Sequence, residues 1–587
     1  MSTNNTAELA AQIVLKAFEA FDAAFRSITR RAKRRFEQRD WQGGRHDSIE
    51  RLDSYERSLD QVVRKLDTSI GSPAREASLW IAAKPKFAAL LALRHDIGRG
   101  ETYFNSVTRR MLRTVGLNRD VEFFYLHPKP HAPYAEESVY RTYTKSDDTE
   151  VLVKSILDDC SFSVAFENLD RDAGLVAQEI DLHLWPVIGV ENSGTIDVVK
   201  AIFYRNKEAY IVGRINAADK SFPLIIPLVN GGSGIYVDTV LLESAEAGIV
   251  FSFAYSYFFV DIERYDALIQ FLRSIVPQSQ TSELYISLGY NHHGKTGFYR
   301  DLHRYVHVSK EQFVIAPGLE GAVMNVFTLP NYGFVFKVIK DRPCFLRSNN
   351  QTSKVITQER VRYQYGFVSH RDPAGRMVNT QEFENLRFRK KRFASQVLDE
   401  FQQAVTRNVT ILEDYVIIKH VYVQRKVVPL PLYFRNERNP EAIRHVLIDF
   451  GYFLKDLAAS GVFPSDLFNT WNYGVTQWGR VVLYDYDDVL PIERIRFREK
   501  PQPRDELQET EPEENWILAT EDDFFMDEIE RYSGIPHPLR GVFKSVHGDL
   551  YKLTFWKNLT ENLRKGVIFD VIPYDRVKRF REHERII

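Results

Sequence analysis

Cysteine, charge imbalance and long apolar runs are all scarce in this chain of 587 residues. Only Cys160 and Cys344 occur, one bridge at most, which excludes a disulfide framework and favours a reducing interior. Lysine and arginine number 78 against 79 aspartates and glutamates, a net charge of −1. That balance excludes a long-range pull toward nucleic acid or anionic lipid. No apolar run reaches the ~18 residues a transmembrane helix needs. The N-terminus is amphipathic: Leu9, Ile13, Val14, Ala17 and Phe18 alternate with Glu8, Glu19 and Asp22. A secretory leader has an unbroken apolar stretch instead, so the expected address is the cytoplasm. No Walker lysine motif, Gly-x-Ser-x-Gly elbow or dinucleotide fingerprint is found. His292 and His293 are adjacent and lack zinc spacing, and read as polar loop residues.

Apolar residues make up 44% and aromatics 13%, enough for roughly three to four core-sized units or two large ones. Residues 6–115 read as helices, with caps or breaks at Asp47-Ser48, Gly71-Ser72-Pro73 and Gly98. Arg26, Arg30, Arg31, Lys33, Arg34 and Arg35 form a basic stretch, read as a solvated helix face before a docking surface. AIFYRNKEAYIVGRI and SFPLIIPLVN read as strands, then Glu243 to Phe259 as a helix. After Phe313 the pattern turns to hairpins. Residues 342–375 are polar with weak periodicity, and 382–405 are a charged helix candidate. Residues 416–432 alternate like two strands, and a helix from Pro440 to Ser460 ends at Gly461. The stretch 491–523 is acidic and Pro-rich, a loop or lid.

Residues 311–341 read EQFVIAPGLEGAVMNVFTLPNYGFVFKVIKD: strand, a turn with Gly318 and Gly321, strand, a Pro-Asn-Tyr-Gly turn, and a strand carrying Lys337. In isolation the two glycines fit an ordinary hairpin. Lys337 changes that weighting, because alternation puts it opposite Phe336 and Val338. A lysine inside an apolar run must snorkel or find an anion. Asp466 follows the 440–460 helix, with Asn469 and Asn472 a few residues on. Then VTQWGRVVLYDYDDV ends in Asp485, Asp487 and Asp488. Carboxylates this close need a cation or water, and oxygen ligands at a strand end suit Mg²⁺. Glycine turn, strand lysine, loop aspartate and strand-end aspartate come in the order in which kinases meet ATP. The residues by themselves thus point to an ATP-dependent phosphotransferase.

Several segments resemble the bacterial isocitrate dehydrogenase kinase/phosphatase family. They are the 201–215 run, Ala245 to Phe258, 316–330, Phe336 to Asp341, Gly375 to Asn385 and Gly479 to Asp487, and the resemblance spans residues ~8 to ~582. It implies an α+β protein: a mostly helical N-terminal regulatory domain (1–310) and a bilobal protein-kinase-like domain (311–587), with 491–523 as substrate-recognition loop. It implies ATP and Mg²⁺, AMP and central metabolites as effectors, and isocitrate dehydrogenase as partner. It implies phosphorylation and dephosphorylation of a serine of that enzyme, partitioning isocitrate between the citric acid cycle and the glyoxylate bypass. Carried over by residue, the nucleotide turn is Ala316, Pro317, Gly318, Leu319, Glu320, Gly321 and Ala322, and the nucleotide lysine is Lys337. The catalytic-loop aspartate is Asp466, the metal ligands are Asp485 and Asn472, and Asp487 matches a position needed for dephosphorylation.

Three positions depart from the family pattern. Asn379 stands where the family has an active-site aspartate, and an amide cannot accept water's proton as a carboxylate does. The loop after Asp466 has one extra residue, leaving Asn469 or Asn472 as metal ligand. Glu320 adds negative charge to the glycine turn. The alternatives are a diverged paralogue that binds nucleotide and partner with weak or no phosphatase activity, or a kinase for another protein. The oligomeric state stays open, a homodimer included.

Overall fold

Small and aromatic residues at helical spacing build the first element of the fold. The computed structural model describes residues 3–581 apart from 126–138, 145–147, 184–193, 218–219, 253–254, 256, 319–320, 346–353, 466, 468, 503–521, 527–528 and 530–533. Helix α1 (Thr3–Glu37) buries Ala7, Ala10, Ala11, Val14, Phe18, Phe21 and Phe25 along one stripe. Each large side chain so buried contributes about 1.5–3 kcal/mol. Helix α2 (Trp41–Ser69) starts at Asp40, whose carboxylate accepts the Gly43 N–H at 2.9 Å and satisfies one donor the helix leaves unpaired. Gly71, at φ 74, ends the turn after it. Helices α3 (Ala77–Leu91) and α4 (Ile97–Leu112) complete the packing around α1.

The chain divides into two compact units. The first runs to Glu311 and includes Asn385–Arg387 and the described residues from Ile572 on. Its helices are joined by a six-stranded antiparallel sheet. The strands are β1 (Tyr140–Thr144), β2 (Thr195–Val199), β3 (Phe203–Arg205), β4 (Glu208–Ala217), β5 (Lys220–Asn230) and β6 (Ile235–Val237), in the order β1-β2-β4-β5-β6 with β3 beside β4. The last described residues are tied back to it. Tyr574 donates to Glu208 (2.7 Å), and Arg579 lies 2.9 Å from the buried Asp238.

Several local expectations are corrected in this unit. Asp47 and Ser48 lie inside α2, not at its start, and Asp47 is buried under Arg31 (3.0 Å) and Arg35 (2.8 Å). Arg30 bonds Asp261 at 2.9 Å. The basic stretch is therefore largely ion-paired inside its own unit, while Arg30, Lys33 and Arg34 stay exposed as a solvated face would. The helix read over Glu243 to Phe259 covers only Ser244–Val250. Phe259 instead exchanges backbone hydrogen bonds with Tyr204. His292 and His293 sit on the first turn of the helix Asn291–Val308, not in a loop. His292 stacks on Tyr55 at 3.7 Å, and His293 meets the Thr102 hydroxyl at 2.9 Å.

The second unit begins with the hairpins read from sequence. Strands β7 (Val314–Ile315), β8 (Met324–Thr328) and β9 (Phe334–Ile339) pair in succession. A short ribbon, β10 (Cys344–Phe345) and β11 (Lys354–Val355), precedes the helix Gln358–Ser369, which lies within the stretch read as aperiodic. Strands β12 (Thr380–Arg389), β13 (Val409–Ile411) and β14 (Tyr415–Arg425) complete a sheet ordered β12-β14-β9-β8-β7, with β13 beside β14. Phe313, Phe327, Phe336, Phe393 and Phe401 fill one face of it.

Residues 382–405 are thus not one helix. Gln381 and Phe383 point inward, then Leu386 and Phe388 do, and Asn385 at φ 55 resets the phase between them. Such a bulge breaks period-2 alternation, and only Ser395–Ala404 is helical. Residues 416–432 hold one long strand, the short β15 (Val428–Pro429) and the helix Leu430–Asn436.

The other lobe is organised by the helix Pro440–Ala459. Pro440 starts it and Gly461 at φ 77 ends it, as read from the sequence, and the structure adds Asn439 as its cap. Strands β16 (Val462–Pro464), β17 (Tyr473–Val475), β18 (Val481–Leu483) and β19 (Val489–Pro491) follow. Helices Arg540–His547 and Leu553–Arg564 pack below. Gly451 lets the first of these approach, since a Cβ there would lie 2.1 Å from the His547 ring. Among the described residues no helix is long and apolar enough to cross a membrane.

Candidate active site

Strand alternation sends Lys337 to the face opposite Phe336 and Val338, and all three are buried. Its ammonium donates to the Tyr484 carbonyl at 2.8 Å and lies 3.8 Å from the Asp485 carboxylate. It also sits 5.1 Å over the Tyr484 ring. The strand lysine and the strand-end aspartate, about 150 residues apart in sequence, therefore meet in one place. Asp485 keeps 34% of its side chain exposed, so it is the half of the pair that solvent or a ligand can reach.

The glycine turn joins β7 to β8, and the Ala316 N–H bonds the Val326 carbonyl at 3.0 Å. Gly318 adopts φ 143 with open space where a Cβ would be. At Gly321 a Cβ would lie 2.8 Å from the Met324 carbonyl. Pro317 and Gly318 are exposed, and Ala322 is partly so. Leu319 and Glu320 lie outside the described residues, as does Asp466. The chain on either side of Asp466 is fixed. Ser465 donates its N–H to the Asp488 carbonyl at 2.8 Å, and Tyr473 donates its hydroxyl to the Leu467 carbonyl at 2.8 Å. Asn472 ends a short helical turn, and its carbonyl accepts the Tyr484 N–H at 3.1 Å. That bond places Asn472 beside the residue preceding Asp485. Of the loop 491–523, residues 503–521 lie outside the described residues, but its ends pair as parallel strands, Arg496–Arg498 with Asp523–Phe525.

Among the described residues no three His, Cys, Asp or Glu side chains gather as a metal site. Asp487 is buried and its Oδ1 has no hydrogen-bond partner. Burial first, then the Asp485 charge, push its carboxyl well above the usual range, with Lys337 opposing. A raised folded-state pKa stabilises below the unfolded value of 3.8 and loses that contribution as pH rises through the folded value. Asp487→Asn is therefore expected to flatten the loss of stability that wild type suffers on going from acid to neutral pH. Melting temperatures of both proteins across that range check it, and parallel curves would refute it.

Asn379 is fully buried, and its Oδ1 accepts a hydrogen bond from the Gln381 side chain. It reaches the site because residues 376–379 run beside β18. The Leu483 N–H bonds the Arg376 carbonyl (2.8 Å), and the Val378 N–H bonds the Leu483 carbonyl (3.1 Å). Arg376 fastens this segment. It donates twice to Asp449, once to Asp456, each at 2.8 Å, and once to the Val481 carbonyl at 3.1 Å.

Sequence reasoning passed over Arg376, Tyr365 and Gln424. Tyr365, on the helix Gln358–Ser369, stacks on Tyr422 at 4.2 Å and meets Tyr486 edge-on at 5.1 Å. Tyr422 is the cross-strand neighbour of Lys337. Burial, and then the charges of Asp487 and Asp485, hold the Tyr365 phenol well above its usual range. Gln424 bonds the Thr380 hydroxyl at 2.6 Å. The one available signal was polar residues alternating within an apolar strand, at His420, Tyr422 and Gln424.

Two family models match the chain. The isocitrate dehydrogenase kinase/phosphatase (AceK) regulatory domain matches residues 11–310, and the kinase domain of the same family matches residues 311–576. An isocitrate dehydrogenase kinase/phosphatase of Anaeromyxobacter sp. (strain Fw109-5) is 39% identical over 584 residues, covering 100% of this chain and 99% of the relative. One from Anaeromyxobacter dehalogenans (strain 2CP-C) is 36% identical, covering 97% of each. One from Photorhabdus laumondii is 34% identical, covering 99% of this chain and 98% of the relative. The chain belongs to the isocitrate dehydrogenase kinase/phosphatase family.

Proposed function

We propose that this protein is an ATP-dependent serine kinase and phosphoserine phosphatase acting on isocitrate dehydrogenase, and so sets flux between the citric acid cycle and the glyoxylate bypass. The observation that carries the reading is the meeting of Lys337 with Asp485. A buried ammonium paired to a half-open carboxylate is the arrangement in which a triphosphate and its cation find both charges.

Lys337 holds nucleotide phosphate from the sheet side. The turn Ala316 to Ala322 is the proposed nucleotide turn, and a side chain at Gly321 would run into the Met324 carbonyl. Asp485 and Asn472 would hold Mg²⁺, a donor set that suits a hard cation needing one or two carboxylates beside phosphate, and the ion would supply charge neutralisation at the phosphoryl oxygens. Asp466 orients the acceptor serine hydroxyl and takes its proton. Asp487 keeps its proton longer than an ordinary aspartate, which fits it to serve as acid or base when water replaces serine.

One observation favours a second reading, a nucleotide-dependent binder with little phosphatase activity. Asn379 is a buried amide held by Gln381 where a carboxylate is expected. One assay separates the two: incubate the protein with Mg-ATP and isocitrate dehydrogenase, and follow phosphate on the serine in both directions. Asn379→Asp is expected to raise the phosphatase rate if the missing carboxylate limits it. An unchanged rate discards that explanation, and tight binding without transfer in either direction favours the binder.

A further inference from the structure

The helical unit contains a cavity that no residue of the candidate active site lines. Its empty space is ≈ 500 Å³, open mouth included. Phe18, Phe21, Phe25, Tyr55 and Tyr290 form apolar walls, and two arginines line it. Arg99 is neutralised by Asp22 and Asp96. Arg51 is not. It is 4% exposed, and among the described residues it forms no ion pair. It makes one hydrogen bond, to the Phe258 carbonyl at 2.9 Å, and lies 3.6 Å over the Phe259 ring and 5.2 Å from the Phe25 ring. Gly289, at φ 87, leaves space for this guanidinium, since a Cβ there would lie 2.9 Å from Nη2. Asn291 also lines the cavity and has a buried Oδ1 with no hydrogen bond.

A buried charge without a counter-charge is costly. Burial lowers the Arg51 guanidinium to about 10, yet it remains a cation at neutral pH. The fold keeps it against aromatic faces, beside empty space and an unused amide. We infer that this cavity binds a small organic anion, its carboxylate or phosphate on Arg51, its apolar or ring-shaped body between the phenylalanine and tyrosine walls, and a polar substituent on Asn291.

The test is calorimetry and thermal melting of the full chain with benzoate and phenyl phosphate at millimolar concentration, and with benzamide as neutral counterpart. One or both anions are expected to bind and raise the melting temperature, with benzamide about tenfold weaker or worse. Which anion binds distinguishes a carboxylate ligand from a phosphate one. Arg51→Met keeps the bulk without the charge, and is expected to abolish binding while leaving the ligand-free melting temperature unchanged or higher. Leu52→Trp, which fills the cavity with Arg51 intact, is expected to abolish binding too, and decides the matter should the first variant fold poorly. Binding of both anions undiminished in the variants, equal binding of benzamide, or no binding of either anion overturns the assignment.

Discussion

Asp485→Asn is expected to lower phosphoryl transfer to isocitrate dehydrogenase, and release of phosphate from it, by about 10³-fold, ~4 kcal/mol of transition-state stabilisation. Asp485 follows directly on Tyr484, whose backbone is fixed at both ends, its N–H by Asn472 and its carbonyl by Lys337. The carboxylate therefore projects from a rigid strand end, partly open to solvent, with one cation already 3.8 Å away. The amide keeps the shape and loses the charge. Lys337 is buried beside it, so loss of this counter-charge is expected to cost stability as well, and transfer is compared where both proteins are folded. The measurement is transfer of labelled phosphate in both directions, with melting temperature as the control for folding. If only one direction fell, the two reactions would not share this cation site. Transfer that survives in both directions removes Asp485 from the mechanism.

How much was legible beforehand depended on whether the physics was local. The β7–β9 hairpins were readable because glycine, proline and strict alternation are near-neighbour signals, and so was the helix Pro440–Ala459, with its proline and its stop at Gly461. Lys337 could be singled out because a charge inside an apolar strand demands an explanation. Other elements were hidden by single residues. Asn385 shifted the phase of β12 and made a strand look like a charged helix. The helix Gln358–Ser369 was missed because its buried positions, Val361, Gln364, Tyr365 and Val368, mix polar with apolar. The ion pairing of the basic stretch of α1 was hidden for a different reason: its partners Asp47 and Asp261 come from elsewhere in the chain. Spacing reveals faces, but the residues opposite a face come from the fold. Arg376 is the sharpest case, since nothing in its immediate sequence announces that Asp449 and Asp456 wait for it.

Arg376→Met is expected to be the most damaging single change to the second unit. The guanidinium is buried and donates to two carboxylates and a backbone carbonyl. Asp449 accepts the Val481 N–H as well, at 2.6 Å, so this cluster ties the helix Pro440–Ala459 to β18 and to the strip carrying Asn379. Removing the cation leaves two carboxylates without it in a dry interior, which costs about 3–5 kcal/mol. Burial works against the Asp449 charge, yet Arg376 overcomes it and holds that carboxyl below its ordinary 3.8. A depressed folded-state pKa contributes stability that is present above the unfolded value and lost as pH falls through the folded one. Wild type should therefore weaken below about pH 4, and the variant should already be weak at neutral pH. Hydrogen exchange at Val481 and Leu483 reads the effect locally, and those amides are expected to exchange about 10²–10³ times faster in the variant. Arg376→Met with Asp449→Asn, which removes one of the stranded charges, should recover part of the loss. Unchanged exchange in the single variant would mean that β18 is held in place by packing alone, and that Asp485 owes its position to the apolar strand behind it.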